Sequence, residues 1–345
     1  MRVHFAVVIL PGVLALAGCA RMPSSNPSSM NPEQGAAISG RVHGGQNPIT
    51  GAHVYLMAVN TTGYGGPGIA ASSANKSASV LTTGAGQDSL GYYVTTDSNG
   101  DFDITGDYTC PSTWAHPYLY AVGGDSGSGA NAAITLVAPV GSCEGASEFI
   151  TVNEVSTIAS AYAFAGFASD PTHVSTSGSA FDAIAANNAA NTILNLENPN
   201  TGLAYATTPG GNGTVPQAEI DTLANILAAC INSTGPGSTQ CGTLFSNAMN
   251  GGTQPTDTAT AAVNIAHNPG ANAGNLFGLQ APSSPFLPMK VFAAIACQRA
   301  GSFATGAVSG VAKKPGAIAL AQTPCFDQAS AWARVSCITP PLDAP

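Results

Sequence analysis

The sequence predicts an all-β sandwich followed by a small Ala-rich α-helical domain and an irregular C-terminal tail. Short alternating apolar runs fill residues 38–152, broken at close intervals by turn residues, as in sheets buried on one face. Past Val152 the apolar period changes from 2 to about 3.6. Charge then reverses near residue 287. Residues 36–287 hold fifteen acids and two bases (Arg41, Lys76), whereas 288–345 hold five bases and two acids.

The chain opens with Arg2 and an apolar run, Phe5 to Ala17, shorter than the ~20 residues of a bilayer-spanning helix. The run closes on Leu16-Ala17-Gly18-Cys19. This order of charge, apolar run, small residues and cysteine resembles a bacterial lipoprotein signal. The resemblance implies that residues 1–18 are a signal peptide, that Cys19 carries lipid, and that the membrane is a partner through that lipid. Ala20 after the cysteine implies the outer membrane or cell surface. Residues 19–35 include a Ser-, Asn-, Pro- and Met-rich stretch and read as a tether.

Strands are expected at Ile38–Val42, His53–Val59, Ala78–Thr82, Gly91–Thr96, Phe102–Thr105, Tyr118–Val122, Ala132–Ala138 and Phe149–Val152, within a first domain spanning 36–149. Three phrases carry a resemblance: Ile38-Ser39-Gly40-Arg41-Val42, Pro48-Ile49-Thr50-Gly51-Ala52-His53-Val54-Tyr55-Leu56, and Thr96-Asp97-Ser98-Asn99-Gly100-Asp101-Phe102. Together they resemble the carboxypeptidase regulatory-like domain, which implies a transthyretin-like sandwich. Gly100 is expected to supply a positive φ in a hairpin turn. The Thr61–Ser77 insert departs from that family and reads as a mobile loop.

Helices are expected over residues 150–287. Asn153 to Thr157 leads into an apolar segment to Ala165, and Phe181–Leu196 places Phe181, Ile184, Ala185, Asn188 and Ile193 near one face. Thr214-Val215-Pro216-Gln217 reads as a capping box opening a helix through Ile220, Leu223, Ile226, Leu227 and Ile231. Asp257–His267 forms another. The phrases Val152 to Ala159 and Ala262 to Gly270 resemble the N-terminal part of bacterial cell-surface proteins in which a propeller of NHL-type repeats follows. No such repeats occur here. Residues 288–345 are therefore expected to be an atypical, out-of-frame tail of a truncated member. A genuine basic C-terminal helix is the alternative.

Cysteines sort by region. Local pairs Cys110–Cys143 and Cys230–Cys241 suit an oxidising compartment, leaving Cys297, Cys325 and Cys337 as an odd set. Asp97, Asn99, Asp101 and Asp103 place oxygen ligands at alternate positions, as calcium loops do, but without an EF-hand's downstream Glu and glycine placement, which favours a hairpin turn with solvated acids. Gly124-Asp125-Ser126-Gly127 copies a protease nucleophile motif, but the upstream histidines lack the context that chemistry needs. His173 and His267 are expected to be isolated and exposed. Trp114 and Tyr118, with Tyr92, Tyr93 and Tyr120, are candidates for a sugar-stacking platform, against half-buried packing along their strands.

Only 8% of residues are charged and the net charge is −9, which disfavours a nucleic-acid partner. No cofactor motif is present. The expected function is a non-enzymatic cell-envelope binding or scaffold module, contacting polysaccharide or an envelope protein by fold analogy. The alternatives are an envelope hydrolase with an unrecognised site, and a structural remnant of a longer propeller protein.

Overall fold

The computed structural model describes residues 33–105, 108–110, 116–141, 143 and 149–290, without the side chains of Glu33, Gln34, Cys110 and Ala180. Cys19 and its signal, most of the tether, Trp114, and the tail segment with Cys297, Cys325 and Cys337 lie outside the described residues.

Among the described residues, nine strands longer than two residues and six helices form. The strands are β1 (Ile38–Gly44), β2 (His53–Ala58), β3 (Gly86–Asp88), β4 (Gly91–Thr95), β5 (Asp101–Ile104), β6 (Pro117–Val122), β7 (Thr135–Pro139), β8 (Phe149–Val152) and β9 (Ala168–Asp170). The larger sheet runs β7-β6-β2-β4-β3, all antiparallel, and Ala78–Ser79 also pairs with β2. The smaller one centres on β1, antiparallel to β5 and parallel to β8. Gly100 adopts φ +77 in the turn before β5, where a Cβ would press on the Val42 carbonyl.

Alternation decides which face of the larger sheet each side chain covers. Val54, Leu56, Leu119, Ala121 and Leu136 are wholly buried on one face. Register puts Tyr55 opposite Tyr120, and Tyr120 opposite Val137, on the other. That second face is covered by helices α1 (Glu154–Ala163) and α5 (Thr258–His267), which with Tyr118 and Val137 enclose an apolar void of about 20 Å³. Strands and helices thus share one continuous core.

β7 is the outer strand of its sheet, so its outward N–H and C=O groups have no strand partner. Helix hydroxyls take that place. Thr157 Oγ accepts the Val137 N–H at 2.9 Å, and Ser156 Oγ donates to the Val137 carbonyl at 2.8 Å. Thr258 Oγ accepts the Thr135 N–H at 3.0 Å and donates to the Thr135 carbonyl at 2.6 Å. Pro139 ends the strand without a donor. Both helices begin at these contacts. Asn153 and Ser156 form a reciprocal capping box on α1, and Asp257 caps α5 through the Thr260 N–H at 2.8 Å.

The remaining helices are α2 (Ala180–Leu196), α3 (Gln217–Ile231), α4 (Thr239–Asn247) and α6 (Ala273–Phe277). Three expectations are corrected. In α2, Phe181 and Ile184 are 84% and 59% exposed, because the buried face is Ala186, Ala189, Ala190, Ile193 and Leu196. At α3 no capping box forms, since the Gln217 side chain donates instead to the Ala204 carbonyl at 3.1 Å. The Thr61–Ser77 insert is pinned. Asn60 N–H bonds to Val174, Gly65 N–H to Ser175, and buried Asn75 accepts the Ser72 N–H and donates to the Ala70 carbonyl.

The edge contacts predict a stability effect. Thr157→Val and Thr258→Val keep volume but leave one buried N–H of β7 without an acceptor, so each should cost ~1–3 kcal/mol. The urea midpoint should fall with an unchanged m-value, and an unchanged midpoint would show that the hydroxyls contribute nothing.

Candidate functional site

A cleft with polar walls, about 450 Å³, lies where four distant segments meet. These are the turn Gly44–Asn47 after β1, the C-terminal half of α3 from Asn225 to Asn232, Gln240 at the start of α4, and residues 279–285. Its volume falls in the range of small-ligand sites. Gln46, Asn47, Asn225, Asn232 and Gln240 line it with carboxamides, Ser283 and Ser284 with hydroxyls, and Ala228, Ala229, Leu279, Ala281 and Pro285 with apolar surface. None of the lining residues is charged or aromatic.

Each segment is held from behind. Gly45 adopts φ +63 and sits so close to Pro285 that an added Cβ would lie 2.8 Å from its ring, so only glycine fits this turn. The Gly45 N–H donates to Glu154 Oε2 at 3.0 Å. Glu154 is fully buried at the first position of α1, and burial pushes its carboxyl up to about 8 despite the adjacent helix N-terminus.

The end of α3 is fixed by the loop between β6 and β7. Ser126 Oγ donates to the Ile231 carbonyl at 2.9 Å, Ser128 Oγ to the Asn232 carbonyl at 3.0 Å, and Asn131 Nδ2 to the Cys230 carbonyl at 3.0 Å. These donors satisfy carbonyls that a helix end leaves open. Cys230 and Cys241 are disulfide-bonded, tying α3 to α4 between Asn232 and Gln240. Asn232 Oδ1 accepts from Asn47 Nδ2 at 3.2 Å, joining turn and helix directly.

Residues 281–290 run along α3 in the opposite direction. Buried Asn225 accepts the Phe286 N–H at 3.0 Å and donates to the Phe286 carbonyl at 2.9 Å. Thr222 Oγ accepts the Lys290 N–H, and Lys290 Nζ pairs with Glu219 at 2.5 Å. Residues 286–290 are thus engaged with the helix.

The residues singled out from sequence are not gathered in this cleft. Tyr118 is 1% exposed, and its hydroxyl donates to the Pro171 carbonyl and accepts from Ser77 Oγ, making it a core residue and not an exposed platform. Tyr120 is buried, and Tyr93 stacks on His53 at 3.8 Å. Asp97 turns its carboxylate inward to accept the Asn99 and Asp101 N–H groups, which is the turn geometry of a hairpin. Asp101 lies 3.7 Å from Arg41, Asp103 is exposed on β5, and no group of three or more His, Cys, Asp or Glu among the described residues is arranged to hold a metal. Ser126 is buried and its hydroxyl is engaged in donating to the Ile231 carbonyl. His173 is part-buried against Asp170 at 2.9 Å, and His267 Nε2 bonds to the Ala165 carbonyl, so neither is isolated. Cys143 is disulfide-bonded; the side chain of Cys110, its expected partner, lies outside the described residues. None of the five cleft carboxamides was singled out, and their only sequence signal is the cysteine pair that brackets residues 231–240. No family model matches the chain, and neither does any curated protein or solved structure.

Two predictions follow from this construction. Mutating both Cys230 and Cys241 to Ala should lower stability by up to about 3 kcal/mol, the entropy of closing so short a loop, and should broaden Asn232 and Gln240 side-chain amide signals in NMR. Glu154, Glu197 and Asp221 are all buried with an unpartnered carboxyl oxygen, and burial raises them to about 8, 8 and 7. Their protonated forms favour the folded state, so this stability is full below the ordinary carboxyl range and is lost as pH rises toward about 8. Melting temperature should therefore fall between pH 5 and pH 8, and Glu197→Gln should flatten that slope.

Proposed function

We propose that this chain is a non-enzymatic, lipid-anchored binding module of the cell envelope whose cleft takes a neutral polysaccharide. Its two main sheets form a transthyretin-like sandwich in this reading, and Cys19 carries the membrane anchor. The observation that supports binding over catalysis is the cleft's composition. Carboxamides, hydroxyls and small apolar side chains line it without a titratable group, so it offers hydrogen bonds and contact area but no acid, base or nucleophile. A neutral wall suits a hydroxyl-rich ligand, since carboxamides both donate and accept.

Calorimetric titration of the purified chain with neutral oligosaccharides should give saturable heat. Gln240→Ala combined with Gln46→Ala, both exposed on the cleft wall, should weaken binding at least about tenfold without lowering the melting temperature, through loss of two hydrogen-bonding side chains. Binding unaffected by the double substitution would place the ligand elsewhere.

A further inference from the structure

We infer that the cleft selects a sugar bearing an acetamido group, an inference that rests on the saccharide reading above. The first observation is at the cleft's own margin. Asn225 meets the N–H and the carbonyl of Phe286, which belong to two successive peptide groups, so a carboxamide of α3 already pairs with one end of each of two main-chain amides. One helical face carries the same side-chain type seven residues on, at Asn232, inside the open part of the cleft.

The second observation is how the carboxamides are distributed. In a trans secondary amide the N–H and C=O point in opposite directions, so two separate side chains must meet them. The cleft supplies carboxamides from two segments, Gln46 and Asn47 on the turn, Asn232 and Gln240 at the α3–α4 corner. Asn232 spends one hydrogen on the Ala228 carbonyl and one lone pair on Asn47, which leaves a donor and an acceptor for a ligand.

The third observation is the apolar surface that Ala229 adds to the same cleft, with Ala228, itself buried, lining it as well. A methyl group buries there, whereas a hydroxyl leaves that surface against water. Absence of charge from the lining residues removes the partner that an ammonium or carboxylate sugar would need. Acetylated amino sugars satisfy all three features, while plain, deacetylated or acidic sugars each fail one.

The full-length, detergent-solubilised protein should be titrated calorimetrically with three β-linked trimers that share a backbone: N-acetylglucosamine, glucosamine and glucose. The N-acetylglucosamine trimer should bind at least about tenfold tighter than either of the others, the discrimination one methyl-sized pocket delivers. Ala229 is part-exposed on the cleft wall, so Ala229→Leu should abolish the acetyl preference, with circular dichroism and melting temperature read alongside to show that the fold is kept. Equal binding of the glucose trimer would overturn the acetamido inference and leave the saccharide reading standing. If no sugar binds but N-acetyl-trialanine amide does, both fall and the cleft is a groove for polypeptide main chain.

Discussion

The edge of the larger sheet governs how the rest of the chain is arranged. β7 leaves the outward N–H and C=O groups of Thr135 and Val137 without a strand partner, and an unpaired edge invites pairing with another chain. Two helix N-termini meet these groups with Ser156, Thr157 and Thr258. The same three residues lie within the first turns of α1 and α5, so satisfying the edge also fixes where both helices start. Their apolar faces then cover Tyr118, Tyr120 and Val137, which explains why a sheet with one expected apolar face is buried on both. α3 packs on α1 and thereby inherits its place from the edge contact.

Side-chain amides and hydroxyls do in this protein much of what ion pairs do elsewhere. The described residues contain two ion pairs of Arg or Lys with a carboxylate, Arg41–Asp101 and Lys290–Glu219, each exposed or half-buried and of a kind worth little in water. Buried Asn75, Asn131, Asn153 and Asn225 instead each hold a stretch of backbone: the insert, the end of α3, the start of α1 and the 286 segment. Such bonds are insensitive to salt and to the protonation of neighbours. The three buried acids, which have no basic partner among their electrostatic contacts, weaken the fold as pH rises, whereas His43, His116 and His267, lowered by burial, weaken it as pH falls below the ordinary histidine range.

Strand positions were legible because alternation and turn residues are local. The expected strands appear within a few residues except Ala78–Thr82, which shortens to Ala78–Ser79, and Gly100 takes its expected backbone conformation. Helix α5 was legible for the same reason, with Asp257 as its cap. Errors arose where one side chain had two uses. Gln217 suits a capping box but is drawn to Ala204, and Phe181 suits an apolar face whose contacts are made by alanines. Tyr118 reads as a platform residue, yet its hydroxyl finds partners at Ser77 and Pro171, far away in sequence. The cleft was illegible for a deeper reason. Its residues come from positions 44–47, 225–232, 240 and 279–285, and carboxamides carry no spacing signature of the kind that metal or acid–base chemistry imposes.

The anchoring around the cleft exceeds what holding α3 in place requires. Its C-terminal carbonyls are met by Ser126, Ser128 and Asn131, its neighbour α4 is tied by a disulfide, and the facing turn is fixed by Gly45 and Glu154. Any one of these would position a helix end. Together they restrict the backbone on several sides of a cavity that the protein leaves unfilled, although a collapsed wall would bury more surface. Rigid walls lower the ordering cost of binding, and that cost is otherwise large for ligands held by hydrogen bonds in water. The convergence on one cleft, built with glycine where no other residue fits, is what a preorganised neutral binding site requires.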